Sequence, residues 1–195
     1  MKRGFQSWLH LFHMVDAYRP TRRAEKDGIV QIEEFNELDA GRAADAVRPC
    51  AAIESFVSAV VAGRPYADLA ALLHAAEAQA AEWTTAEVDA ALKDHPRIGE
   101  RPARGSTSAA LSRAEQAGVS GDAGVRQRLA EGNQRYEERF GRIYLVRAKG
   151  RSAEELLDLL DQRLGHDAVT EEAVVRQQLA EIALLRLAGL FEDVA

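Results

Sequence analysis

The chain has 195 residues, 47% of them hydrophobic and 29% charged, with a formal net charge of −6 and a single cysteine. That length suits one domain with a sizeable core, and the acidic balance argues against nucleic acid or an anionic membrane as the main partner. Cys50 standing alone excludes an internal disulfide and a cysteine-rich metal site, no apolar run reaches bilayer-spanning length, and neither end carries an address, so the cytoplasm is the expected compartment.

Residues 1 to 30 differ in texture from the rest. They hold two of the five histidines and a basic cluster (Arg19, Arg22, Arg23, Lys26), interrupted by Pro20 and Gly28. The expected organisation is an N-terminal arm or extension over 1–30, followed by a helical domain over 31–195. From Gln31 the pattern is helical. Ile32, Phe35 and Leu38 recur every three residues, and Ala43 to Val47 form a short helix that Pro49 ends at or before Arg48. Phe56, Val57, Val60 and Val61 give an apolar face that stops at Gly63-Arg64-Pro65, and Leu69, Leu72, Leu73, Ala76 and Ala80 continue as a longer stripe toward Trp83. Thr84-Thr85-Ala86-Glu87 is a capping-box pattern that opens a helix carrying Val88 and Leu92, which the residue before Pro96 should end at His95.

Beyond the next loop, Asp122 to Phe140 reads as a long amphipathic helix with Val125, Leu129, Tyr136 and Phe140 on one face. Ile143-Tyr144-Leu145-Val146 is the closest thing to a strand, but it is too solitary for a sheet. Ser152-Ala153-Glu154-Glu155 caps another helix bearing Leu156, Leu159, Leu160 and Leu164, closed by Gly165. The last helix runs from about Thr170 to Leu190 and is apolar on most sides, as a central helix would be. The pattern predicts an all-α, single-domain bundle of roughly eight or nine helices.

One stretch does not reduce to core helix. From Asp94 to Gly121 the chain breaks a helix at proline, passes through a long loop rich in small residues, and restarts with Ser112-Arg113-Ala114-Glu115-Gln116-Ala117-Gly118. A compact domain rarely carries such a loop without a use for it. His95, at a helix C-terminus, is a side chain that can titrate near neutrality, as a general acid–base must; it also fits a simple cap on the last carbonyls. Glu115 has two readings. Ser112-x-x-Glu115 is itself a capping box, whereas Gln116 beside it and the small residues around it leave room for a polar ligand. Arg186 lies on the same face as Val175, Leu179, Ile182 and Leu190, and a buried guanidinium needs a partner. That partner is either a helix carboxylate such as Glu137 or Glu138, or a carboxylate or ureide ligand gripped by the guanidinium fork. The histidines make no metal-ligand spacing, no phosphate loop or dinucleotide fingerprint occurs, and Cys50 fits a buried structural thiol.

Several linked motifs resemble one family. They are His95-Pro96-Arg97-Ile98-Gly99, Ser112-x-x-Glu115-Gln116-Ala117-Gly118, Asn133-x-x-Tyr136-x-x-Arg139-Phe140-Gly141, Gly150-Arg151-Ser152 and Leu185-Arg186-Leu187. In order and at compatible spacing over roughly residues 32 to 191, they resemble 2-oxo-4-hydroxy-4-carboxy-5-ureidoimidazoline (OHCU) decarboxylase, of urate breakdown. The resemblance implies an all-helical homodimer without metal or organic cofactor, acting on the small molecule OHCU to give (S)-allantoin and carbon dioxide. It also implies that His95 and Glu115 are catalytic and that Pro96, Ser112, Gln116, Phe140, Ile143 and Arg186 bind substrate. Phe56 and His166 depart from the residues common in relatives, tryptophan and asparagine.

The chemistry implied is self-contained. The carboxylate leaves a carbon adjacent to a C=N group, so the electron sink lies within the substrate and no pyridoxal or thiamine site is needed. His95, held by Glu115, would exchange a proton, while Gln116 and Arg186 would orient the ureido and ring oxygens. Two other readings of the same residues are a non-enzymatic helical module binding a ligand or peptide, and a related ureide-processing enzyme. The first requires the polar groups to point apart or to remain in local caps.

Overall fold

Helix boundaries in the computed structural model follow the punctuation of the sequence. The structure describes residues 31–93, 95–98, 111, 112, 115 and 123–191. Among these are eight helices and no strand: α1 (Ile32–Glu37), α2 (Ala40–Val47), α3 (Glu54–Ala62), α4 (Leu69–Ala81), α5 (Thr85–Leu92), α6 (Ala123–Phe140), α7 (Ala153–Arg163) and α8 (Ala168–Ala188). Leu111, Ser112 and Glu115 are helical as well. The expected all-α architecture is therefore present. The arm expected over 1–30, the loop after Ile98 and the Gln116 side chain lie outside the described residues.

Side-chain oxygens start most of the helices. Asp39, Asp68 and Asp167 each accept from a backbone N–H in the first turn, satisfying donors that a helix start leaves open. Thr84 with Glu87 and Ser152 with Glu155 form the two expected capping boxes. The boundary at His95 differs from expectation. Helix α5 ends at Leu92, with Lys93 as its C-cap, and His95 sits in a turn whose N–H donates to the Leu92 carbonyl at 3.1 Å. Proline's steric restriction thus acts through a short turn rather than on the last helical residue.

Two apolar clusters meet at the extended run Tyr144–Val146, Leu145 belonging to the first and Tyr144 and Val146 to the second. The first packs Phe35, Val47, Phe56, Val57, Leu72, Trp83 and Val88 against Val175, Leu179, Ala183 and Leu187. The second joins Leu129 and Tyr136 of α6, Leu156 and Leu160 of α7, and Tyr144 and Val146. Among the described residues the run Tyr144–Val146 has no strand partner. Its polar backbone is met by side chains instead: Arg163 Nη1 donates to the Leu145 carbonyl at 2.6 Å, and the Arg147 N–H donates to Gln178 Oε1 at 3.0 Å. This is how an isolated buried extended segment avoids the cost of unpaired peptide groups. Nearer the N-terminus, Arg64 donates to the Phe35 and Leu38 carbonyls at 2.8 and 2.7 Å, closing the C-terminal end of α1.

A buried polar knot joins α6, α7 and α8. Glu171, 1% exposed, accepts from Arg163 Nε at 2.8 Å, from the Tyr136 hydroxyl and from His166 Nδ1 at 2.7 Å. The Arg163 guanidinium also lies over the Tyr144 ring, 4.8 Å from its centroid. Sequence reading missed Arg163 and Glu171, although a signal existed. Arg163 continues the Leu156, Leu160 stripe, and Glu171 precedes Val175 by four residues, the same pattern that singled out Arg186.

Candidate active site

Arg186 projects from the last turns of α8 into the space between that helix and the Pro49–Cys50 corner. Its Nε donates to Glu115 Oε1 at 2.7 Å and its Nη2 to Glu115 Oε2 at 2.9 Å, a two-pronged ion pair. Nη2 also donates to Ser112 Oγ at 3.1 Å, and Nη1 approaches the Pro49 carbonyl at 3.4 Å. The side chain of Arg186 is 2% exposed and that of Glu115 21%. The guanidinium therefore faces neither Glu137 nor Glu138. Glu137 is bound instead by Arg97, and Glu138 accepts from Gln134 at 2.9 Å.

This geometry does not fit the capping reading of Ser112-x-x-Glu115. At positions 84 and 152 the same spacing caps a helix. At 112 the serine already lies within helix, preceded by helical Leu111, and both side chains turn to Arg186 rather than to a helix start. Ser112, Glu115 and Arg186 are one hydrogen-bonded unit, drawn from segments more than 70 residues apart.

Cys50 adjoins this unit. Burial pushes its thiol up to about 12, with Arg186 pulling it down and Glu115 pushing it further up. The thiol is thus neutral at physiological pH and does not compete with Glu115 for the guanidinium. This agrees with the structural role expected for it.

His95 is held separately. Its Nδ1 lies 3.0 Å from the Ala91 carbonyl. A carbonyl has no proton to give, so Nδ1 carries the hydrogen, and Nε2 is shielded from solvent. The Ala91 carbonyl is one contact of the ring, while both oxygens of Glu115, expected to hold His95, meet Arg186. Pro96, the next residue, is half-buried. Phe140 stacks at a tilt on Tyr136, with centroids 4.7 Å apart, and Ile143 packs against the first apolar cluster. Between them Arg142 pairs with Asp89 of α5 at 3.3 Å, tying the end of α6 to the helix that leads to His95. Among the described residues no group of histidine, cysteine and carboxylate side chains is arranged to hold a metal ion, and no helix is long and apolar enough to cross a membrane.

Comparison with known proteins gives one consistent result. The family model described as OHCU decarboxylase matches residues 36–188. A 2-oxo-4-hydroxy-4-carboxy-5-ureidoimidazoline decarboxylase from Amia calva is 31% identical over 142 residues, covering 69% of this chain and 79% of that protein. A uric acid degradation bifunctional protein from Arabidopsis thaliana is 32% identical over 109 residues, covering 54% of this chain and 34% of that protein, so the chain spans about a third of that relative's length. The fold resembles a crystal structure of OHCU decarboxylase in the presence of (S)-allantoin, with a TM-score of 0.63 and 24% identity over 75% of this chain and 96% of the other. It also resembles a crystal structure of (S)-allantoin synthase, with a TM-score of 0.64 and 15% identity over 84% of this chain and 54% of that one. With a family match across most of its length, on an all-helical fold, the chain belongs to the OHCU decarboxylase family.

Proposed function

We propose that this chain decarboxylates OHCU to (S)-allantoin, with His95 as the acid–base group and the Ser112–Glu115–Arg186 unit as the polar wall that orients the substrate. Family membership supports the reaction. The observation that carries the residue assignment is the convergence of Glu115 and Ser112 on a buried Arg186, because a simple binding module built on local caps would leave these groups apart. The carboxylate departs as carbon dioxide, its bonding electrons move into the adjacent C=N group, and protonation at carbon completes the product. His95 Nε2 is placed to exchange the proton, since its other nitrogen is committed to Ala91.

Glu115 has a different part from the one expected of it. Bound two-pronged to Arg186, it fixes the guanidinium plane and balances its charge, so that the one remaining Nη1 hydrogen and the Ser112 hydroxyl present a fixed pattern to the ureide. Gln116, Phe140, Ile143 and Pro96 complete the proposed substrate contacts. The working unit is a homodimer in the cytoplasm, needing no cofactor because the substrate supplies its own electron sink. The direct test is carbon dioxide release from freshly generated OHCU, with and without the protein. A rate no faster than spontaneous decay would remove the proposal.

A further inference from the structure

The segment that carries His95 is anchored at both ends. On one side, α5 holds it through the His95 N–H to the Leu92 carbonyl at 3.1 Å and the ring Nδ1 to the Ala91 carbonyl at 3.0 Å. On the other side, past Pro96, α6 holds it twice. Asn133 Nδ2 donates to the Ile98 carbonyl at 3.1 Å, and Arg97 donates through Nε and Nη2 to the Glu137 carboxylate, the second contact at 2.9 Å. Asn133 and Glu137 are four residues apart, so one face of α6 presents both.

We propose that Asn133 and Glu137 are positioning residues for His95, acting through Ile98 and Arg97; this rests on the acid–base reading of His95 given above. Only Pro96 and Arg97 separate the ring from the Ile98 anchor, and proline's fixed φ removes one of the few torsions that could absorb a displacement. A shift at Ile98 therefore reaches the imidazole.

Two features set the anchor apart from ordinary packing. Asn133 is 4% exposed, and its Oδ1 is buried with no hydrogen-bond partner among the described residues. A leucine would fill such a place without leaving a polar atom unsatisfied, so packing alone does not account for an amide there. What the amide supplies is the single donor that meets the Ile98 carbonyl. Glu137, for its part, is held by Arg97 below the ordinary carboxylate range. The pair is therefore ionised at neutral pH and the two-pronged geometry persists where the enzyme works.

The test uses the full chain and compares wild type with Asn133→Leu, Glu137→Gln and Arg97→Lys. Steady-state kinetics on OHCU are combined with 15N spectra of the histidine rings, in which His95 is assigned by its loss in His95→Ala. Misplacing the ring should lower kcat by about 10- to 100-fold, while KM moves by less than about threefold because the substrate wall is untouched. The His95 ring resonances should shift in Asn133→Leu and in Glu137→Gln, with Arg97→Lys intermediate. If Asn133→Leu does not fold, Glu137→Gln decides alone, because its side chain is partly exposed. Lower thermal stability with kcat and ring resonances unchanged would overturn the proposal and leave a purely structural clamp. If wild type itself fails to turn over OHCU, the decarboxylase reading falls by itself. The ring spectra of Glu137→Gln then decide the anchor, supporting it by a shift and overturning it by none.

Discussion

Arg186 meets a stability requirement and, in the proposed function, a functional one. Its charge is tolerable at 2% exposure only because Glu115 and Ser112 meet it. Removing one partner leaves the other uncompensated, so Arg186→Met should destabilise the fold by about 3–5 kcal/mol, read from the urea midpoint at constant m-value. The pair replacement Arg186→Met with Glu115→Leu should recover much of that stability and none of the activity. A double variant as unstable as the single one would contradict this account of the pair. Glu115→Gln keeps the shape but loses the ion pair, and should lower turnover while the fold survives. The same scale shows why sequence alone left Glu115 open. The letters S-x-x-E occur at 84 (as T-x-x-E), 112 and 152, and only tertiary context separates two caps from a pair bonded to Arg186.

Elements were legible wherever a period or a cap marks them. The stripes through Val57, Leu72 and Leu179 and the two capping boxes place α3, α4, α5, α7 and α8 within a few residues, because solvent-facing and core-facing positions alternate at the helical period. Contacts between elements were not legible. The pairing of α6 with α7 depends on Gly132, where a Cβ would overlap Leu160 Cδ2 and approach Cγ to 3.2 Å. Leu160 is fully buried and has no open side to retreat into. Gly132→Ala should therefore destabilise by about 1–3 kcal/mol, although alanine is the better helix former by about 1 kcal/mol. Pairing it with Leu160→Val should restore part of the loss. Unchanged or raised stability in Gly132→Ala would show that the two helices can separate freely. The Arg163–Glu171 knot shows the same limit: each residue lies in an apolar stripe, but nothing in the sequence pairs the two across α7 and α8.

At the scale of the molecule, several buried acids of high pKa respond to pH together. Burial raises the Cys50 thiol from 9.0 to about 12 and the Tyr144 hydroxyl from 10.0 to about 12, and it moves Tyr136 in the same direction. Each group holds its proton longer in the folded chain than in the unfolded one. Their contribution is therefore fully present below the unfolded values of 9.0 and 10.0 and is lost as pH rises toward about 12. Urea midpoints should be level up to about pH 8.5 and fall steeply between about pH 9.5 and 12; midpoints that rise across that range would contradict the burial of these groups. The overall class could be read from the chain because helix follows helix from Gln31 onward, and the family could be read because its motifs cluster around the few residues that are not core. The separate partners of His95 (Ala91) and Glu115 (Arg186) needed three dimensions. The central claim is that His95 carries the proton in a decarboxylation that this chain performs. It is tested most directly by following the circular dichroism of OHCU freshly made from urate with uricase and the preceding hydrolase. Wild type should produce a rapid and persistent (S)-allantoin signal, and folded His95→Ala should slow its appearance by about 100-fold or more. A variant as fast as wild type would contradict the assignment of His95.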